Sequence, residues 1–330
     1  MQTLLILPIS FLLNIFVYKF KIDIFQYIKI PIEKLQYLLK DKVYKNNETL
    51  ELILGIIVSL IVLFISFVVP YFLFYLLYKV HFLLGIIIEL IAAYIIIGIR
   101  KPFEVSSSIY SSVKYVNLDE AKNILKENTN IDVNDIDREN IIKKTIEYSS
   151  ISVGEDYIYT SIFFLLGGIP LCFMYKILCM LSDISSDNDV AIDENRVKDK
   201  YGMFNINFAY YINMIPSIFA FLSYAVADFL LGYDIKKAFM VFKRDGNDNK
   251  ARLECAVAGA LDIELGGEYL KDSEIHDRIL VGDAVNKLES SHIVASNKIL
   301  IMGAIFALFV LIVLKLLFML FGIIFNKLFF

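Results

Sequence analysis

Long apolar runs separated by short polar breaks set the pattern of this chain. Residues 3–18 are uncharged but fall short of the about 20 residues that a bilayer span needs. Residues 52–78 form an unbroken apolar run, long enough to cross with tilt and expected to kink at Pro70. A three-residue turn, Lys79-Val80-His81, forces the next apolar run, 82–99, straight back; it holds Glu89 near its centre. Two further runs, 157–181 and 204–231, flank an acidic loop, and a last one, 299–325, contains Lys315. The connector 19–51 has Ile28, Ile32, Leu35 and Leu39 at helical spacing, which predicts an amphipathic helix lying on the membrane.

Between the apolar runs lie two polar segments. In 100–155, Asn117-Leu-Asp-Glu120 reads as a capping box in which the Asn side chain takes an orphan amide and Glu120 reaches back. A helix to about Glu127, a turn through 128–137 and a helix from about Arg138 to Ser149 make a hairpin. In 233–298 a basic stretch precedes AVAGALDIELGG, whose small residues permit close backbone approach. The divisions that follow are a membrane region with connector over 1–99, a helical hairpin over 100–156, a central membrane pair over 157–232, a second soluble segment over 233–297 and a terminal span over 298–330. The fold class is all-α: a polytopic membrane helix bundle of about six spans with two helical or loop insertions.

Composition agrees with that pattern. Of 330 residues 58% are hydrophobic, against roughly 45–50% in ordinary soluble domains. A net charge of −4 argues against a nucleic-acid binder, which would show a basic stripe. The three cysteines have no metal-ligand spacing. Lys and Arg concentrate in 19–51, 100–155 and 233–298, so six alternating spans place all three segments in the cytoplasm and the acidic loop 183–200 outside. That loop lacks the glycine and terminal glutamate of a calcium loop, and AVAGALDIELGG lacks a P-loop lysine. The stretch 165–216 stands out, because Lys176, Asp183, Asn207 and Asn213 interrupt membrane-grade sequence broken by Gly167, Gly168, Pro170 and Pro216. Such residues are costly in lipid unless they face protein, a cavity or a ligand.

Several pieces taken in order resemble one family. LDEAKNIL, Asp132 and IDRENIIKKTIE look like a helical hairpin ending in Ile-Glu; GGIPLCFMYKILCMLSD and YGMFNINFAYYINMIPS look like its two central helices. ECAVAGALDIELGG and RILVGDA resemble its Glu-Ala-Ala-Met-Ala-Gly-Ala-Leu…Leu-Gly-Gly and Gly-Asp ending. Together they resemble the membrane-bound cobalamin-biosynthesis family of adenosylcobinamide-phosphate synthases. The sequence departs from that pattern at several polar places: Ile151-Ser152 stand for Glu-Asn, Cys179 and Ser182 for the Asn and Asp of the fourth run, and Ala209-Tyr210 for an Asp pair.

The resemblance implies ATP-dependent joining of a corrinoid carboxylate to the amine of aminopropanol phosphate, with Mg²⁺. A carboxylate is a poor electrophile, so activation, phosphate-binding cations and a base for the ammonium proton are needed. Carried over residue by residue, Glu254, Glu147 and Asp132 are the expected catalytic groups. Lys176, Asn213, Asn249, Arg252, Gly266 and Gly267 are expected to bind substrate or nucleotide, and Glu155, Asp156 and Asp183 the metal. Implied partners are the corrinoid, the lipid bilayer and other corrinoid-assembly membrane proteins, with no nucleic acid. One conflict stands: charge bias places the 183–200 loop outside, whereas ATP is inside. Either runs four and five are a broken, re-entrant pair, or that loop is not catalytic. A second reading is a catalytically degenerate membrane scaffold or regulator of the same family; a transporter is a distant third, since no repeat between halves is visible.

Overall fold

The apolar runs form helices because a helix alone satisfies every backbone N–H and C=O within the segment in lipid. The computed structural model describes residues 2–16, 25, 27–34, 48–129, 131–133, 136–188, 200–271 and 274–329. Five of its helical stretches are long and apolar enough to cross a membrane: Thr49–Val80, Phe82–Lys114, Arg138–Ser186, Met203–Leu230 and Ser290–Leu320. The run expected as a first span is described as a shorter apolar helix, Leu5–Phe16, so among the described residues five such helices stand where about six spans were expected.

The helices in chain order are α1 (Gln2–Phe16), α2 (Glu48–Val80), α3 (Phe82–Ile96), α4 (Arg100–Lys114), α5 (Leu118–Thr129) and α6 (Arg138–Ser152). A π-helix, Val153–Tyr159, leads on into α7 (Thr160–Asn188). Then come α8 (Met203–Leu230), α9 (Ile235–Asp245), α10 (Asn249–Leu261) and α11 (Ser290–Phe329). Between α10 and α11 lie β1 (Glu264–Leu265), β2 (Tyr269–Lys271), β3 (Glu274–His276) and β4 (Val281–Gly282), which the hydrophobic pattern did not announce. β1 pairs with β4 and β2 with β3, both antiparallel.

The chain divides into two units, Met1–Ile97 with Thr160–Asn213, and Gly98–Tyr159 with Met214–Phe330. In the first, α2 and α3 meet at His81 alone, in extended conformation, since Lys79 and Val80 of the expected three-residue turn stay helical. Gly85 lets Tyr78 pack close, and the Tyr78 hydroxyl donates to Glu89. The buried carboxyl near the centre of α3 therefore has its partner inside its own hairpin. α2 runs through Pro70 without interruption. α7 instead breaks at Gly167 (φ −147°, ψ 15°) and Gly168 (φ 66°, ψ −158°), the glycine pair that the sequence marked. Only glycine takes the second of these conformations without strain.

Leu63, Ile177, Leu178, Leu181, Ile184 and Ala209 form the core of this unit. Ile28 and Ile32, expected on the membrane surface, pack against that core, and Phe25 lies 5.7 Å from Phe173. Leu35 and Leu39 fall outside the described residues, as does the acidic loop from 189 to 199.

In the second unit α4, α5, α6 and α11 pack around Ile109, Leu125, Ile141, Ile146 and Ile293. The Asn117 capping box forms with one change. Asn117 Oδ1 accepts from the Glu120 N–H at 3.3 Å, while Glu120 takes the Asn117 side-chain amide at 2.8 Å rather than its backbone N–H. The second helix of the hairpin does not stop near Ser149. It continues through the π segment into α7, so hairpin and fourth span are one helical run.

Candidate functional site

The second unit gathers most of the expected residues. α6 carries Lys144 and Glu147 at i, i+3 spacing, which puts both on one face. α10 starts at Asp248, whose carboxylate caps the Lys250 and Ala251 amides, and its small residues bring neighbours close. A Cβ on Gly259 would lie 2.8 Å from the Ala238 Cα, so α9 and α10 are in near backbone contact. Asp262 ends α10 in a left-handed conformation, and the strands follow.

Gly266 and Gly267 both have φ +81°. A side chain on Gly266 would run into the Ile279 carbonyl. Gly267 pairs with Arg278 through both backbone groups, N–H to O at 3.0 Å and O from N–H at 3.3 Å. This pairing places Arg278 opposite the glycine pair, and its side chain turns inward between two glutamates.

The Arg278 guanidinium donates through Nη1 to Glu147 Oε2 at 3.1 Å and through Nη2 to both oxygens of Glu254 at 3.0 Å. Glu147 also accepts from Lys144 Nζ at 2.9 and 3.2 Å and from the Gly266 N–H at 2.8 Å. Lys144 Nζ stands 5.0 Å over the Tyr269 ring, a cation–π contact that adds to its ion pair. Glu254 is 0% and Glu147 3% exposed. Two carboxylates, one lysine and one arginine thus form a node of zero formal charge, with every carboxylate oxygen engaged. Burial pushes the Glu254 carboxyl up to about 8, with Arg278 opposing and Glu147 reinforcing the rise. Burial works against the Arg278 charge, but Glu254 and Glu147 outweigh it and hold the guanidinium more firmly protonated than usual.

A second cluster centres on Arg252, two residues before Glu254 and so on the opposite side of α10. Its Nε donates to the Gly246 carbonyl at 2.9 Å, and its Nη1 to Ser217 Oγ and Asn249 Oδ1, both at 3.1 Å, and to the Met214 carbonyl at 3.4 Å. Ser217 Oγ in turn donates to Asn249 Oδ1 at 3.2 Å. The Arg252 fork is thereby fixed, and among the described residues Nη2 carries no hydrogen bond. The π-helix lies against this helix, since a Cβ on Gly154 would meet Leu253 Cδ2 at 2.5 Å. The Tyr159 hydroxyl is buried beside Ser217 but outside hydrogen-bond geometry, and both Glu155 and Arg252 act on it electrostatically. π-Helical turns concentrate at functional sites because they redirect side chains within a helix.

The other expected residues are placed as follows. Asp132 donates its backbone N–H to the Leu270 carbonyl at 2.8 Å, next to Tyr269 and so near the node. Gly266 and Gly267 spend their amides on Glu147 and Arg278. Glu155 and Asp156 are half-buried neighbours; Glu155 acts electrostatically on Tyr159 and Tyr224, and Asp156 on Tyr148. Lys176, Asn213 and Asp183 belong to the first unit. Asn213 accepts from the Tyr175 hydroxyl at 3.0 Å, Lys176 is half-buried one residue away, and Asp183 is exposed. Among the described residues no three His, Cys, Asp or Glu side chains gather as a metal-ligand set.

Sequence reasoning missed Arg278, Lys144, Ser217 and Tyr159 as members of these clusters. Arg278 had one available signal: it opens RILVGDA directly after a polar stretch and before a return to apolar sequence.

Residues 26–302 match the profile of the family described as CobD/Cbib protein. The chain is similar to the cobalamin biosynthesis protein CobD of Leptospira interrogans, with 25% identity over 270 residues, 80% of this chain and 84% of that protein. It is similar to the protein of the same name from Clostridium perfringens, with 26% identity over 278 residues, 83% and 85% of the two chains. A third, from Clostridium acetobutylicum, is 22% identical over 274 residues, 82% and 84%. No solved structure gives a significant match.

Proposed function

Because the chain belongs to the CobD/Cbib family and so to cobalamin biosynthesis, we propose that it catalyses amide-bond formation between a corrinoid carboxylate and aminopropanol or its phosphate, at the membrane and at the expense of ATP. The observation that carries this reading is the convergence of Glu147 and Glu254, 107 residues apart in the chain, on one Arg278. These are the two carboxylates that the family-like segments Ile-Glu and Glu-Cys-Ala-Val-Ala-Gly-Ala-Leu supply.

In this proposal the node is a positioning device. It locks α6, α10 and the Gly266–Gly267 turn together and so fixes the helix that presents Arg252 on its other side. Arg252 binds the anionic end of a substrate through its remaining Nη2–H groups, a role suited to a planar fork held by four acceptors. Asn249 and Ser217 hold the fork, and Glu155, which like Arg252 acts on Tyr159, is a half-buried carboxylate able to take the ammonium proton. ATP and Mg²⁺ enter as what the reaction consumes; ATP would make the carboxylate an acyl phosphate open to amine attack. Mg²⁺ is commonly held by one or two carboxylates together with substrate phosphates. Among the described residues Glu155 and Asp156 belong to no group of three ligand side chains, so no step is assigned to the metal. The Lys/Arg-rich segments are cytoplasmic in this reading, where ATP is available.

One observation favours a second reading, a non-catalytic scaffold of the same family. Every oxygen of Glu147 and Glu254 is already engaged within the protein, and Ala209-Tyr210 replace the Asp pair of the family pattern. The test uses the full-length protein in nanodiscs with adenosylcobyric acid, aminopropanol phosphate, ATP and Mg²⁺, with amide product read by mass spectrometry. Product from the wild type, reduced at least tenfold in a folded Arg252→Ala variant, is the expected result. A folded wild type that forms no amide and does not complement a corrinoid-assembly mutant selects the scaffold.

A further inference from the structure

α9 is an amphipathic helix whose outward face has two chemistries. Its inward residues Ala238 and Val241 are buried, and Phe242 stacks on Phe221 of α8 at 4.0 Å. Its exposed residues Lys236, Phe239, Met240 and Lys243 follow i, i+3, i+4, i+7 spacing, which is one helical face. Phe239 is 44% and Met240 63% exposed, so the middle of this face is apolar and each end carries a lysine. The other two basic residues of α9 are occupied: Lys237 is held by Asp262, and Arg244 by Asp245 and Asp283. Lys236 and Lys243 make no ion pair among the described residues.

The apolar patch lies on a helix that follows α8, itself apolar enough to span the membrane, after a four-residue connection. On α8, Tyr211, Met214, Ile215, Ile218 and Leu222 form an exposed stripe along a helix apolar enough to span the membrane. Phe239 packs edge-on against Phe221 at 5.2 Å, and Phe221 is the chain neighbour of Leu222. α9 is thus packed onto α8, and on its outward face lysines flank the exposed apolar pair. Apolar residues that reach the acyl boundary, with lysines beside them at headgroup level, are the pattern of a helix seated in the membrane interface. Interfacial lysines favour anionic headgroups.

We propose that the Lys236–Phe239–Met240–Lys243 face of α9 docks on the anionic lipid headgroups of the surrounding bilayer, inserting Phe239 and Met240 at the acyl boundary. The face serves to hold the soluble segment at the membrane, independently of whether that segment is catalytic.

The chain has no tryptophan, so one introduced tryptophan reports a single position. Met240→Trp is the probe, because the side chain is exposed and its replacement leaves the Phe221 stack intact. Full-length protein is placed in nanodiscs of phosphatidylcholine alone or with phosphatidylglycerol, with and without brominated acyl chains. Asn247→Trp, also exposed, is the aqueous reference. The expected result is blue-shifted emission and at least twofold quenching by bromolipid in anionic discs. Adding Lys236→Glu and Lys243→Glu is expected to return the quenching to the neutral-disc level. Emission and quenching like those of Asn247→Trp in both lipids overturn the docking. A blue shift without bromolipid quenching means that protein covers the face and overturns the lipid assignment. Equal quenching in neutral and anionic discs, unchanged by the glutamates, overturns the headgroup recognition.

Discussion

Replacing Arg278 with alanine tests the node most directly. The substitution leaves Glu254, 0% exposed, with neither of its two Nη2 contacts, and takes one of the donors from Glu147, 3% exposed. Breaking a buried ion pair by removing one partner costs about 3–5 kcal/mol, because the remaining charge stays buried and unpaired. Net domain stabilities are about 5–15 kcal/mol, so the loss is a large share. At about 2–4 °C per kcal/mol the thermal midpoint should fall by about 6–20 °C. The assay is the fraction of monodisperse protein left after heating in detergent, read by size-exclusion chromatography.

Arg278→Lys keeps the charge but not the fork that spans both glutamates, and should fall between the two. The double change Arg278→Met with Glu254→Met should recover more than half of the loss, since an apolar pair of similar volume is often neutral or better in place of a buried ion pair. An Arg278→Ala midpoint within about 2 °C of the wild type would refute the reasoning and mean that water reaches both carboxylates.

Two further predictions concern buried acids. The Glu254 carboxyl is raised when folded, to about 8, so its burial favours the fold most at low pH. That contribution is lost as pH rises from the ordinary carboxylate range toward 8. Glu254→Gln should flatten the stability–pH curve across that window, and an unchanged slope by thermal shift would count against it. Asp228, 0% exposed on α8, has both carboxyl oxygens without a hydrogen-bond partner among the described residues. An unsatisfied buried polar group costs about 1–3 kcal/mol, so Asp228→Leu should match or exceed the wild type in the same heating assay. A clear loss would mean that the carboxyl holds something the protein needs.

What the sequence made legible follows the range of the physics. Apolar runs longer than the bilayer is thick read directly as helices, and Gly167-Gly168-Ile-Pro170 read as a break because a glycine pair just before a proline disfavours an uninterrupted helix. Glu147 and Glu254 were found through motif context alone, since nothing in their local periodicity separates them from solvated glutamates. Arg278 opens the family-like RILVGDA, yet nothing in that motif singles it out. Its role depends on a two-way backbone pairing with Gly267 in strands of two or three residues, too short for any alternating pattern to show. The continuity of α6 into α7 was hidden for a related reason: a polar-to-apolar transition looks like a boundary, yet a π turn carries the backbone through it. Ile28 and Ile32 show the limit of amphipathicity, which marks a face to be covered but not by what.

The node also sets an order on biosynthesis. Glu147 leaves the ribosome 107 residues before Glu254 and 131 before Arg278, with α7 and α8 made in between. At about 5–20 residues per second, the Lys144–Glu147 pair waits roughly ten seconds for its counterpart. During that interval two membrane helices must be delivered while a glutamate destined for burial has only its own lysine. The node therefore closes only after α7 and α8 have been made, and a chain stalled or cut between α8 and β4 would display an open acidic socket to whatever surveys unfinished membrane proteins.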